Sequence, residues 1–145
     1  MKSIMFFLKP KVEIAYIYDY HMVRQALEIM EYHKYSSVPI LNREGKYVGS
    51  ITEGDLLWGI KKQGIMNIKG AESISVMKIE RRLDYQCVNA ESKMVDLIDR
   101  AMEQNFVPVT DDQQNFIGII TRKDIIGYCY SELQKLEQQL DKEEI

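Results

Sequence analysis

The chain has little of what small secreted, metal-bound or membrane proteins depend on. Cys87 and Cys129 are its only cysteines in 145 residues, with no C-x-x-C pair and no histidine near either in sequence. That spacing indicates neither a disulfide framework nor a zinc site, and both thiols read as free and buried. Eight glycines and three prolines exclude a collagen-like chain, and 46% hydrophobic content excludes disorder. The apolar run near the start, Ile4 to Leu8, falls short of the roughly 7–15 residues of a signal-peptide core and of the roughly 20 of a membrane span. The expected location is therefore cytoplasmic, with no membrane partner. Basic residues are not in excess: 19 Lys plus Arg face 22 Asp plus Glu, for a net charge of -3. No bulk electrostatic footprint for DNA or RNA exists, so any bound anion must be held locally. Catalytic constellations are missing as well. The sequence carries no Ser-His-Asp pattern, metal cluster, phosphate-cradling glycine loop or paired catalytic carboxylates, and reads as a non-enzyme with no catalytic residues, no catalytic cofactor and no metal.

What the chain does have is a repeat. Residues 38–57, V-P-I-L-N-R-E-G-K-Y-V-G-S-I-T-E-G-D-L-L, align without gaps on residues 107–126, V-P-V-T-D-D-Q-Q-N-F-I-G-I-I-T-R-K-D-I-I, at a constant offset of 69. Identities fall at Val38 and Val107, Pro39 and Pro108, Gly49 and Gly118, Ile51 and Ile120, Thr52 and Thr121, and Asp55 and Asp124. Each copy predicts the same order of elements. A leading strand, Ile14 to Tyr18 or Tyr85 to Val88, precedes a helix. The first helix presents Val23, Ala26, Leu27 and Met30 on one face, the second Met94, Val95, Ile98 and Met102. Two strands follow around a turn, at Asn42 to Lys46 with Gly45 and at Asp111 to Asn115. A closing helix begins near Glu53 and again near Arg122. Thr-x-x-Asp at each of those starts is a capping-box-like pattern in which the hydroxyl accepts from a first-turn amide and the carboxylate lies at the positive end of the helix dipole.

A unit of about 60 residues buries too little surface to stand comfortably alone, so two units should pair. The expected division is an N-terminal segment 1–11, a first unit 12–62, a linker 63–82, a second unit 83–130 and a C-terminal helical extension 131–145. Ile74, Val76, Met77 and Ile79 of the linker should pack back on the core, and the apolar opening segment should pack on the module or on a second copy. Leu133, Leu136 and Leu140 give the last helix an apolar seam, too short to define a coiled coil, that could dock on a second chain. Trp58 reads as a core or dimer-interface anchor, and His21 and His33 as surface groups.

The two G-h-h-[ST]-x-x-D motifs, G-S-I-T-E-G-D at 49–55 and G-I-I-T-R-K-D at 118–124, each preceded by a V-P strand, resemble tandem CBS domains, the Bateman module, in its stand-alone bacterial form. The resemblance covers about residues 12–130. It implies an α+β fold of two β-α-β-β-α units packed sheet to sheet about a pseudo-twofold axis. It also implies clefts that bind adenosine-containing ligands such as AMP, ATP or S-adenosylmethionine, and a disk-shaped homodimer of modules. By the same resemblance Asp55 and Asp124 grasp ribose hydroxyls, a role that suits a carboxylate able to accept at both oxygens. A phosphate would settle at a helix start beside the Thr52 or Thr121 hydroxyl. The adenine would lie against Ala15, Tyr16 and Ile17 with Ser36, Ser37, Val38 and Pro39 in the first copy. In the second it would meet Gln86, Cys87 and Val88 with Asn105, Phe106, Val107 and Pro108. Aligning Ile17 with Val88 needs an offset of 71, which implies a two-residue deletion in the second helix.

The copies differ in charge. Arg122 and Lys123 follow Thr121, whereas Glu53 and Gly54 follow Thr52, so phosphate should prefer the second motif. The competing structural reading makes Thr-x-x-Asp a cap only and Arg122 and Lys123 solvated first-turn residues. The functional expectation is a regulatory module that senses AMP, ADP, ATP or cyclic di-AMP and signals to a separate effector protein. The alternative is a structural dimeric subunit with empty clefts.

Overall fold

The computed structural model describes residues 3–144; Met1 and Lys2 of the expected N-terminal segment and Ile145 of the expected C-terminal extension lie outside them. The described residues fold as two small sheets and four α-helices. Strands β1 (Lys9–Pro10) and β2 (Ile17–Tyr18) precede helix α1 (Val23–His33). Strands β3 (Ser37–Leu41) and β4 (Tyr47–Thr52) and helix α2 (Glu53–Lys62) complete the first unit. The second unit is β5 (Val88–Asn89), α3 (Met94–Ala101), β6 (Phe106–Thr110), β7 (Phe116–Thr121) and α4 (Arg122–Glu143). One sheet runs β2-β3-β4 and the other β1-β7-β6-β5.

Corresponding strands pair in the same register. β2 lies parallel to β3 with Ile17 opposite Ile40, and β5 lies parallel to β6 with Val88 opposite Val109. Ile17 and Val88 are therefore equivalent, and the two-residue deletion falls in α3 and its exit, which has eight helical residues where α1 has eleven. Even the irregularity in the hairpin recurs, between Ile40 and Leu41 and between Val109 and Thr110. Both turns are organised by one side-chain oxygen: Asn42 Oδ1 accepts from the Glu44 and Lys46 amides, Asp111 Oδ1 from those of Gln113 and Asn115. Those bonds, led by the Asn115 amide, hold the Asp111 carboxyl below its ordinary pKa.

The leading strands are shorter than their β-forming composition predicts, because backbone pairing is replaced on their N-terminal side. Ile14 and Tyr16 turn into the contact between the sheets, and the Gln86 backbone is gripped by the buried Gln104 side chain, which accepts from its N–H and donates to its carbonyl. The predicted face of α3 is also shifted. Met94, Leu97 and Ala101 are buried, while Val95 and Met102 stand in solvent. Met94 fits either helical stripe, and the arriving sheet selects the one that carries Leu97.

Three apolar clusters hold the molecule. The first unit's core takes in Ala71, Val76 and Ile79 from the linker, with Ile74 packed against it; Met77 remains partly exposed. The second unit's core takes in Ile4, because β1 crosses to pair with β7. Each unit is thus completed by the segment that precedes its partner. The third cluster lies between the sheets and joins Leu41, Tyr85, Phe106, Phe116 and Ile119.

The pseudo-twofold axis can be located from residues that touch their own counterparts. Lys46 bridges to Asn115, its equivalent at offset 69, with Nζ 2.9 Å from Asn115 Oδ1. Tyr47 stacks on Phe116, also its equivalent, with ring centroids 6.3 Å apart. Only groups beside a twofold axis can meet their own images, so the axis passes through this sheet-to-sheet contact.

Candidate functional site

At the opposite end of the inter-unit contact the two strand entries meet. Asn105 Nδ2 donates to the Ser37 Oγ at 3.3 Å. Ser37 is paired across its hairpin with Thr52, and Phe106, next to Asn105, is paired with Thr121. Both Thr-x-x-Asp helix entrances therefore flank one seam between the units. The Ser36 carbonyl accepts the Glu53 amide at 2.9 Å, and the Asn105 carbonyl accepts the Arg122 amide at 3.0 Å, so each entry is tied directly to the start of its closing helix. Tyr85 backs the seam: its hydroxyl accepts the Asn105 amide, its ring packs edge-on against Phe106, and its carbonyl accepts a bond from the Tyr47 hydroxyl. Burial pushes the Tyr47 hydroxyl pKa well up, so it serves as a neutral donor there.

The two carboxylates differ. Asp55 is 2% exposed and accepts at both oxygens: Oδ2 from the Thr52 amide and Oδ1 from the Arg82 amide, each at 3.0 Å. Thr52 Oγ1 in turn accepts the Asp55 amide, completing a reciprocal cap. Asp55 thereby closes α2 and pins the end of the linker, and its burial leaves little of its remaining acceptor capacity within a ribose's reach. Asp124 is half-buried, its amide is capped by Thr121 Oγ1 at 3.3 Å, and its carboxylate accepts no hydrogen bond among the described residues. It lines, with Phe7, Lys123 and Tyr128, an open groove of about 940 Å³ along α4.

The charges are also arranged otherwise than the sequence predicts. Arg122 Nε donates to the Ala101 carbonyl at 2.8 Å, so this guanidinium caps the end of α3, where a cation is favoured, in addition to starting α4. Lys123 is exposed. The first motif, which has no cation of its own, receives one from the linker: an atom at the Cβ position of Gly54 would lie 3.8 Å from Arg82 Nη1 and 3.7 Å from Thr52 Oγ1. Arg81 lies close over Gly49, with its Nε buried and without a hydrogen-bond partner among the described residues. Arg81 and Arg82 were missed by motif reasoning, because nothing in their local spacing links them to residues 49–55; the double arginine at the linker's end is the one signal available.

The adenine-side residues divide into two groups. Ile17, Val38, Val88 and Val107 point into the unit cores, so a base could meet them only through the backbone; Ala15, Pro39 and Pro108 are also buried, the two prolines on the opposite strand face, which carries Leu41 and Phe106 into the inter-unit contact. Ser36 and Gln86 are exposed, Tyr16, Cys87 and Asn105 are half-buried, and Phe106 and Ser37 face the inter-unit contact. Neither Gln86, Cys87 and Val88 nor Asn105, Phe106, Val107 and Pro108 line the Asp124 groove, which is formed by Phe7 and one face of α4. Burial pushes the Cys87 thiol up to about 11, which keeps it neutral and unreactive near pH 7. Trp58 is half-exposed beside Lys61, outside the cores. His21 is partly buried and accepts the Tyr18 amide at Nδ1.

The sequence profile of the CBS domain matches residues 9–62 and 76–131, most of the chain. The chain belongs to the CBS domain family. Solved CBS domain proteins share its fold across nearly the whole length. CbpB in complex with c-di-AMP is 23% identical, covering 95% of this chain and 91% of that one, with a TM-score of 0.76. CBSX2 in complex with AMP is 19% identical, covering 90% and 98%, with a TM-score of 0.72. The L-aspartate semialdehyde sulfurtransferase of Methanocaldococcus jannaschii is 30% identical over 106 residues, 71% of this chain. The match spans 19% of that enzyme, so the likeness is to one part of it.

Proposed function

We propose that this CBS pair is a cytoplasmic, non-catalytic regulatory module that works as a homodimer. It binds an adenine nucleotide, AMP, ADP, ATP or cyclic di-AMP, at the seam between its units and passes a change in their relative angle to a separate effector protein. The observation that carries the reading is the contrast between the two motifs. Asp55 has both oxygens occupied by backbone amides, whereas Asp124 leaves its carboxylate open beside Lys123 at the start of α4. A ribose diol needs an acceptor it can reach, which Asp124 offers and the buried Asp55 does not, and a phosphate needs nearby positive charge. The CbpB and CBSX2 complexes with c-di-AMP and AMP support adenine as the base. In this reading the second motif fills first, and Arg82 gives the first motif its share of positive charge.

Calorimetry with AMP, ADP, ATP and cyclic di-AMP tests it. Binding by one of the four is expected, with affinity reduced at least about tenfold in Asp124→Asn, equivalent to the loss of one charge-assisted hydrogen bond. No heat with any of them would leave the module a structural subunit with empty clefts. Binding that is indifferent to Asp124→Asn but lost in Asp55→Asn would move the site to the first motif.

A further inference from the structure

From Leu133 to Glu143 every residue of the C-terminal helix is exposed, so this stretch stands away from both cores. Eleven helical residues, 133–143, with no packing partner among the described residues are marginal in water, because nucleation is costly and propensity alone barely offsets it. Yet the stretch carries Leu133, Leu136 and Leu140, each more than half exposed. The stripe also reaches back toward the body. Ile126, Cys129, Leu133, Leu136 and Leu140 occupy successive a and d positions of a heptad, and Ile126 is 58% exposed in line with the leucines. An apolar stripe of that period on an otherwise unsupported helix has the form of half a helix pair.

We infer that the α4 stripe is an antiparallel self-association seam, in which α4 of one copy packs along α4 of a second. The flanking charges select this direction. In a parallel pair the g and e positions would set Glu132 against Glu137 of the other copy twice, two like-charge contacts. In the antiparallel register that places Leu133 against Leu136 and Cys129 against Leu140, the e positions set Lys123 against Glu144 and Tyr130 against Glu137. The g positions set Glu132 against Gln139. Opposite charges then meet at both ends and no like charges meet. Self-pairing also satisfies a symmetric, isologous contact, the commonest form of dimer. The inference rests on the homodimer reading above and adds the surface and its direction.

Sedimentation equilibrium of the full chain, followed by cross-linking, tests both parts. The wild type is expected to be a dimer, and Leu136→Glu to raise its dissociation constant at least about tenfold, about 1.4 kcal/mol, while circular dichroism shows both units still folded. Under copper–phenanthroline oxidation, Leu140→Cys is expected to give a covalent dimer that disappears when Cys129→Ser is added, since only the antiparallel register brings positions 129 and 140 together. A monomeric wild type overturns the dimer reading and the seam together. A dimer that survives Leu136→Glu overturns the seam alone. A Leu140→Cys cross-link that persists without Cys129, or a wild-type cross-link through Cys129 itself, overturns the direction. Should Leu136→Glu misfold, the cross-linking pair still decides.

Discussion

Gly49 and Gly118 are equivalent in the repeat, but alanine at the two positions should behave differently. A Cβ at position 118 would overlap the Lys9 carbonyl oxygen, a backbone atom of β1 that cannot swing aside. The only relief is for β1 to leave β7, giving up the pairing of Lys9 with Ile119 and of Pro10 with Gly118 and loosening Ile4 from the second unit's core. A net backbone hydrogen bond contributes about 1 kcal/mol, and a fully buried isoleucine about 1.5–3 kcal/mol. Partial retention of these contacts gives an expected loss of about 2–4 kcal/mol, or roughly 5–12 °C in Tm for a domain of this size. At position 49 the Cβ would meet the Arg81 guanidinium at 2.9 Å, the far end of a flexible side chain. Its Nε is buried without a hydrogen-bond partner among the described residues, so moving it toward water relieves an unmet polar group. Gly49→Ala should therefore stay within about 1 kcal/mol of wild type. Urea unfolding of both variants measures the difference, and trypsin cleavage after Lys11 should accelerate in Gly118→Ala alone. Equal losses at the two sites, or a harmless Gly118→Ala, would refute the argument that the N-terminal strand completes the second unit.

Asp55→Asn should cost about 2–3 kcal/mol, because one of two buried charge-assisted acceptor bonds to backbone amides is lost and the amide NH2 then faces a donor. Asp124→Asn should cost no more than about 0.5 kcal/mol in the same urea titration, since its carboxylate holds no bond to break. His21 should make the fold acid-sensitive. Burial lowers its pKa below the ordinary value of about 6.5, and its Nδ1 must stay unprotonated to accept the Tyr18 amide. The unfolded chain then takes up the proton first, so stability is complete above the unfolded pKa and falls as pH drops through it, levelling off below the folded pKa. Tm measured between about pH 7.5 and 5.5 should decline less steeply in His21→Gln than in wild type; identical slopes would show that His21 is not the group responsible.

Much of this molecule is written in short-range spacing. The gap-free repeat determined two like units, the turn residues at 42–46 and 111–115 determined their hairpins, and Thr-x-x-Asp determined where α2 and α4 begin. Each of these depends on groups within a few residues of one another, so the chain settles them locally. The tertiary structure decided what no local pattern contains. Asp55 is closed by an amide 27 residues away, and Arg82 reaches the first motif from the linker. Ile4 joins the core of the distant unit, and Gly118 is needed because a backbone from the other end of the chain crosses it. Two motifs nearly alike in sequence thus acquire different chemistry. A carboxylate's availability depends on which donors the rest of the fold brings to it, and the deciding one here, the Arg82 amide, arrives only when the linker folds back on the first unit.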